Sequence, residues 1–289
     1  MHSTPALELV RLPPLMELTT GRPEIVIGLI DGPVALNHPE LACSNVQEIL
    51  GGLGACSRLD SEACQHGTFV AGILVAQRGS NAPAICPGCR LIVRPIFSEK
   101  DSKGPSATCG ELALAISEVV EAGARLLNLS AALVAPTGKG QRDLQNVLDY
   151  AARKGVVVVA ATGNEGTVGG SAITRHSAVI PVIAYDLQGR PAPQSNLGWS
   201  AGCHGLGAPG VGVTSIATKG HQNLGGTSAA TPFVTGTLAL LWSKFPTATA
   251  AEVRRAIVHA QARVRRTIVP PLLDAWAAYE AMVAMQAQA

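Results

Sequence analysis

Six short runs of almost uninterrupted apolar residues recur along this 289-residue chain, at 24–30, 90–97, 125–130, 156–161, 178–186 and 211–217. A strand that is apolar at nearly every position has both faces buried, which is the condition of a parallel sheet covered by helices on each side. Helical periodicity fills the intervals. It predicts helices over 67–76, over 107–122 with Ser106 as N-cap, and over 141–154. The last carries Leu144, Val147, Leu148 and Ala151 on one face and stops at Gly155. A further apolar helical pattern runs from Ser228 to about Phe245, and Thr249-Ala250-Ala251-Glu252 is a capping box opening another helix. Strand–helix alternation along the whole length predicts an α/β fold: one domain, 24–289, with a central, mainly parallel sheet flanked by helices, preceded by an N-terminal arm, 1–23. Hydrophobic residues at 47% and charged residues at 15% supply a large core and exclude a disordered chain. With aromatics at 3%, that core is built from Val, Ile, Leu and Ala.

A net charge of +2 gives no reason to expect a nucleic-acid or membrane partner. The densest basic patch, Arg254, Arg255, Arg263, Arg265 and Arg266, reads as solvated helix surface, with an anionic partner as the alternative. Residues 1–24 lack the basic start and continuous apolar run of a secretion signal, and no run of 18 apolar residues occurs. A cytoplasmic location with reduced thiols is therefore the expectation for the seven cysteines, an odd number. Cys86-Pro87-Gly88-Cys89 leaves three readings open: inert thiols on a turn, a local disulfide, or a metal or redox role.

The chemistry concentrates at Gly225-Gly226-Thr227-Ser228-Ala229-Ala230-Thr231-Pro232, which sets a small hydroxyl at a glycine-lightened turn before a helix. Unpaired N–H groups and the helix dipole favour a developing negative charge there. Upstream, His66-Gly67-Thr68 offers a base and Asp31-Gly32 an orienting carboxylate; Asp, His, Ser is one known chain order of a catalytic triad. In open parallel sheets, ligands bind beyond the carboxyl ends of the strands. Asp31, Ser130 and Asn164 each follow a predicted strand and so share that edge, where an asparagine amide can donate to an oxyanion. Taken singly, each has a plainer explanation. Asp31 and Asn164 are ordinary turn residues, and His66 and Ser228 ordinary helix caps. The joint pattern is what points to acyl transfer.

Asp31-Gly32 with His38-Pro39-Glu40-Leu41, His66-Gly67-Thr68-Phe69-Val70-Ala71-Gly72, Asn128-Leu129-Ser130, Gly163-Asn164-Glu165-Gly166, Ala208-Pro209-Gly210 and Gly226-Thr227-Ser228-Ala229-Ala230-Thr231-Pro232 together resemble the subtilisin-like serine peptidases, in that family's order. The resemblance implies Asp31, His66 and Ser228 as triad and Asn164 as oxyanion donor, with no metal or organic cofactor in the reaction. It places the substrate cleft along Ser130, Ala132, Gly163, Glu165 and Ser171. Many relatives have Gly-Gly where Ala132 and Leu133 stand, so the cleft wall here is expected to be tighter and the specificity narrower. Glu165 at the rim would favour a basic substrate side chain, and Ser171 near the floor would leave room for a sizeable one. Phe69, Ala229 and Phe233 replace residues usual in the family without removing a catalytic group. The stretch matching the relatives' calcium loop, 77–85, carries no carboxylate, which argues against that site. The aspartate lies 31 residues from the initiating methionine, so no prodomain is expected.

The motif dialect resembles the intracellular subtilases that mature ribosomally made peptides of the cyanobactin type. The expected function is a serine endopeptidase of restricted specificity acting on a peptide or protein, such as a precursor peptide. The alternatives are a macrocyclase using the same acyl-enzyme and a catalytically silent peptide-binding module. Only 35 positions separate Asp31 from His66, which leaves little room for a water-excluding lid and favours hydrolysis.

Overall fold

The computed structural model describes residues 4–49, 56–99, 107–130, 140–260 and 266–287. Its centre is a seven-stranded parallel sheet in the order β2-β3-β1-β4-β5-β6-β7. The strands are β1 (Val26–Asp31), β2 (Asn45–Glu48), β3 (Arg90–Pro95), β4 (Leu126–Leu129), β5 (Val157–Ala161), β6 (Val179–Tyr185) and β7 (Leu206–Pro209). Every residue of β1, β4, β5 and β6 is buried, as their unbroken apolar runs require. Alternate side chains feed two cores. Ile27, Leu29, Val157 and Val159 join one, and Val26, Ile30, Val158 and Ala160 the other.

The helices divide accordingly. In the first core lie α1 (Pro5–Leu9), α2 (Pro13–Leu18), α3 (Glu62–Val75), α7 (Thr227–Lys244), α8 (Ala250–His259) and α9 (Ala275–Gln286). In the second lie α4 (Cys109–Glu121) and α5 (Gln141–Arg153). A short α6 (Trp199–His204) precedes β7. Strands β2 and β3 lie on one side of β1 and β4 to β7 on the other, so the connectivity changes direction beside Asp31.

Five local readings change. Helix α3 begins at Glu62, capped by Ser61 accepting from the Cys64 N–H (3.2 Å), so His66 lies inside the helix. Helix α4 is capped by Thr108 in a capping box with Glu111, and Ser106 lies outside the described residues. The predicted strand 211–217 does not join the parallel sheet. Its core is β8 (Val213–Ile216), paired antiparallel with β9 (His221–Leu224) in a separate hairpin. The reduced-thiol expectation is also corrected, because Cys56 and Cys64 are bridged. Cys86 and Cys89, by contrast, are buried, unbridged thiols on a turn closed by the Cys89 N–H to the Cys86 carbonyl (3.0 Å). Arg254 is half-buried and donates to the Ser177 carbonyl (2.6 Å), so it ties α8 to the loop before β6. Arg255 and Arg266 are exposed, while Arg263 and Arg265 lie outside the described residues. No described helix is long and apolar enough to cross a membrane.

The N-terminal arm is core structure: Leu7, Val10, Leu12, Leu15 and Met16 are all buried. One cation pins it. The Arg78 guanidinium donates to the carbonyls of Met16 (2.6 Å), Thr19 (3.0 Å) and Ile85 (2.9 Å), and more distantly to Ala84 (3.4 Å). A side chain with five donors in a rigid fork thus organises the carboxylate-free 77–85 loop and joins it to the arm. Arg78→Ala strands these carbonyls and is expected to lower the denaturation midpoint by an amount equivalent to about 2–4 kcal/mol, with Arg78→Lys recovering only part of it. Urea unfolding followed by circular dichroism checks this.

Candidate active site

Two glycines decide how the site assembles. A Cβ at position 32 would collide with the Ala63 carbonyl, and one at position 67 with the carbonyls of Gly32 and Pro33. The turn after β1 and the first turns of α3 therefore touch backbone to backbone. Asp31 is the last residue of β1 and wholly buried. His66 reaches it from α3, its Nδ1 lying 2.6 Å from Asp31 Oδ1. The same oxygen accepts the Gly32 N–H at 2.6 Å, while Asp31 Oδ2 is buried without a partner among the described residues. Thr68, two residues on, accepts the Ala35 N–H (2.9 Å) and so locks the loop after β1 to α3.

Burial acts to lower the His66 pKa, but the charge of the Asp31 carboxylate and its hydrogen bond together outweigh that and raise it above the usual 6.5. With Nδ1 committed to Asp31, Nε2 is the ring nitrogen left to exchange a proton.

Ser228 is the second residue of α7 and nearly buried. Helix α7 packs against α3 on one side and β4 and β5 on another. Pro232 lies four residues into the helix from Ser228, so it withholds the N–H that the Ser228 carbonyl would receive in a regular helix. The Ser130 hydroxyl approaches that carbonyl at 3.5 Å. Ser130 is itself held by the Asn128 amide (2.7 Å), and Asn128 accepts from the Thr235 hydroxyl (2.8 Å), all within the buried interior. Strand β4 and helix α7 are thereby fixed in register.

Asn164 is exposed just beyond β5, and its Oδ1 accepts the Thr227 N–H at 2.8 Å. Its amide Nδ2 is the donor that remains. Ala229 and Ala230 turn their N–H groups back to the Gly226 carbonyl (3.1 and 3.3 Å), and no such internal acceptor takes the Ser228 N–H among the described residues. Gly163, at φ +105°, donates its N–H to Thr227 Oγ1 (3.1 Å) and its carbonyl accepts the Asn196 N–H (2.9 Å), so both its polar groups are engaged within the fold.

The remaining sequence-predicted positions are more dispersed. Glu165 is exposed and its carboxylate is held by the Asn196 amide. The Ser171 hydroxyl caps a turn with Thr174 (3.1 Å to its N–H). Ala132 lies outside the described residues. Sequence reasoning missed Asn196. Its Oδ1 accepts the N–H groups of Glu165 (3.1 Å) and Thr167 (3.0 Å), and its Nδ2 donates to the Thr162 carbonyl (3.1 Å). Asn196 thus fastens both flanks of Asn164. An asparagine between Ser195 and Leu197 gives no local signal of that role, because its partners lie about thirty positions upstream.

Comparison with known proteins agrees with this geometry. The model of the subtilase family matches residues 22–273. The chain belongs to the subtilase family. Subtilisin DY of Bacillus licheniformis is 30% identical over 241 residues, covering 81% of this chain and 82% of that protein. A thermophilic serine proteinase of a Bacillus species is 35% identical, over 79% of this chain but 54% of that longer protein. Among solved structures, a mutant of the protease domain of PatA superposes with a TM-score of 0.83 at 30% identity, covering 92% of this chain and 97% of that one. The prenylagaramide maturation protease PagA gives 0.81 at 28%, over 94% and 98%. This subtilase is a subtilisin-like serine peptidase with the expected single-domain α/β fold, and its neighbours include the maturation proteases its motif dialect resembles.

The raised pKa makes a signed prediction. The His66–Asp31 pair contributes stability in full below about pH 6.5 and loses it as pH rises through the higher folded value. In Asp31→Asn the raising charge is gone while burial stays, so the imidazole should titrate below 6.5. NMR titration of the His66 ring in both proteins checks the order.

Proposed function

We propose that this subtilase is an endopeptidase in which Ser228 Oγ attacks a peptide carbonyl while His66 Nε2 takes its proton. Asp31 fixes the imidazole tautomer and stabilises the imidazolium. The oxyanion is received by Asn164 Nδ2 and the Ser228 N–H, which meet where Asn164 latches onto the start of α7. His66 then passes its proton to the leaving amine, and water releases the acyl group from Ser228. The observation that carries this reading is the 2.6 Å Asp31–His66 pair standing at the same sheet edge as that latch.

The substrate is a peptide, and we read it as a segment of a precursor peptide. The roles of PatA and PagA as patellamide and prenylagaramide maturation proteases support this, as does the exposed carboxylate of Glu165 held by Asn196, which suits a basic side chain at the rim. Hydrolysis is favoured over transfer to an amine. The described residues between Asp31 and His66 are taken up by a 3-10 turn at Pro39–Leu41, edge strand β2 and a bridged segment after Cys56. The likeness to the PatG macrocyclase, at 21% identity, is one of fold. Chemistry of this kind needs no cofactor, and a cytoplasmic site of action is part of this proposal.

A fluorophosphonate probe tests the assignment by mass spectrometry. One adduct is expected, on Ser228, absent from Ser228→Ala and from His66→Ala. Asn164→Ala should keep the fold and lower kcat by about 10²–10³-fold. An adduct elsewhere, or full labelling in His66→Ala, contradicts the proposal.

A further inference from the structure

The segment just before His66 is a strap tied at three places. Cys56, half-exposed, is bridged to Cys64, which is buried in the first turn of α3 two residues before His66. Beyond the end of β3, the Glu99 carboxylate collects the Ser57 N–H (3.1 Å), the Ser57 hydroxyl (2.5 Å), the Arg58 N–H (2.9 Å) and the Ser61 hydroxyl (3.1 Å). From the β8–β9 hairpin, Thr218 Oγ1 donates to the Leu59 carbonyl (2.6 Å) and Gln222 Nε2 to the Gln65 carbonyl (3.1 Å). Ser61 is also the cap of α3. The strap therefore joins the β3 exit, the hairpin and the helix that carries the imidazole, and its one covalent tie is the disulfide.

We propose that Cys56–Cys64 is a redox-modification site, opened by a dithiol reductant, through which the first turn of α3 and hence the reactivity of Ser228 are controlled. The proposal rests on the acyl-transfer reading above. A thiolate of the reductant attacks the Cys56 sulfur, forming a mixed disulfide and expelling Cys64 as a thiolate, which takes a proton. The reductant's second thiol, deprotonated, then attacks its own mixed-disulfide sulfur and expels Cys56, which is protonated in turn. Two electrons pass to the bridge, two protons end on the cysteines, and the reductant leaves as a cyclic disulfide. The Glu99 oxygen that faces the bridge lies within 4.8 Å of both sulfurs. Although burial acts to raise the Glu99 pKa, its four hydrogen bonds hold it below the usual range, so the carboxylate is charged at neutral pH. That charge opposes each emerging thiolate, which disfavours attack by monothiols and leaves the second, intramolecular step of a dithiol as the effective route. Disulfides in reducing compartments are characteristically of this sensing kind.

The effect is graded. The Glu99 and hairpin hydrogen bonds do not involve sulfur, and Gly67 stays packed on Gly32, so the reduced protein keeps its fold while α3 loses its covalent anchor next to the catalytic imidazole. Because an ångström of misplacement can cost a hundredfold, a partly loosened helix should slow Ser228 labelling by about tenfold.

The experiment uses the full chain with dithiothreitol as the reductant. Alkylation and mass spectrometry confirm opening at Cys56 and Cys64. Fluorophosphonate labelling of Ser228 should slow, hydrogen exchange of amides 62–66 should quicken, and re-oxidation should restore both. A Cys56→Ser/Cys64→Ser double variant should be slow throughout and indifferent to reductant. Unchanged labelling and exchange after complete reduction, a double variant at the wild-type rate, or one still sensitive to reductant would each overturn the proposal. If the oxidised protein fails to label at all, the acyl-transfer reading falls. The strap is then judged by exchange alone, with faster exchange on reduction upholding it and no change refuting it.

Discussion

The contact on which this molecule depends is the approach of two backbones, the turn at Gly32-Pro33 and the helix at Gly67. Neither position has room for a Cβ, since each points at a carbonyl of the other segment. Because nothing intervenes, a carboxylate at the end of a strand and an imidazole on a helix meet at 2.6 Å, although 35 positions separate them. The sheet supplies the other half of the constraint. Its parallel strands end together, with Ile30 level with Leu129 and Leu129 level with Ala160, so Asp31, Ser130 and the loop leading to Asn164 emerge along one edge.

Helix α7 is brought to that edge by polar contacts inside an otherwise apolar interior. The chain Thr235–Asn128–Ser130 runs from the middle of the helix to the end of β4 and finishes at the Ser228 carbonyl that Pro232 leaves without its helical donor. Thr227 makes the second connection, giving its N–H to Asn164 and accepting that of Gly163. Buried hydroxyl and amide groups are costly unless paired, so these pairings fix one register of α7 against the sheet where apolar contacts alone would tolerate several. The hydroxyl of Ser228 is thus positioned by Thr235, Asn128, Ser130 and Thr227, together with Asn164, whose side chain also serves as the proposed oxyanion donor.

Much of this was legible in the sequence, and each failure has a physical cause. Strands buried on both faces announce themselves as apolar runs, which is why β1, β3, β4, β5 and β6 were found within two residues at each end. Strand β2 is an edge with exposed and half-buried residues in alternation, and β7, Leu206–Pro209, has a glycine and a proline among its four residues, so neither carried that signal. The apolar run at 211–217 reads as a further sheet strand, but its partner β9 is the polar His221–Leu224, and pairing with a polar strand is settled by the hairpin rather than by apolarity. Asp31, His66, Asn164 and Ser228 were visible as candidates because glycines and strand ends mark them locally. Arg78, Glu99 and Asn196 were not, because each works through backbone groups distant in sequence and has no neighbour that betrays it. The Cys56–Cys64 bridge was missed for a different reason: an odd cysteine count and a cytoplasmic expectation pointed to free thiols.

The most direct test of the account is proton NMR of the resting protein, compared with Gly67→Ala. A hydrogen bond as short as that between His66 Nδ1 and Asp31 should give a strongly downfield proton in the wild type. If the backbone contact holds the pair together, the folded Gly67→Ala protein should lose that resonance and react more slowly with a fluorophosphonate at Ser228. A folded Gly67→Ala protein that keeps both the resonance and the wild-type labelling rate would show that something other than this contact aligns the two residues.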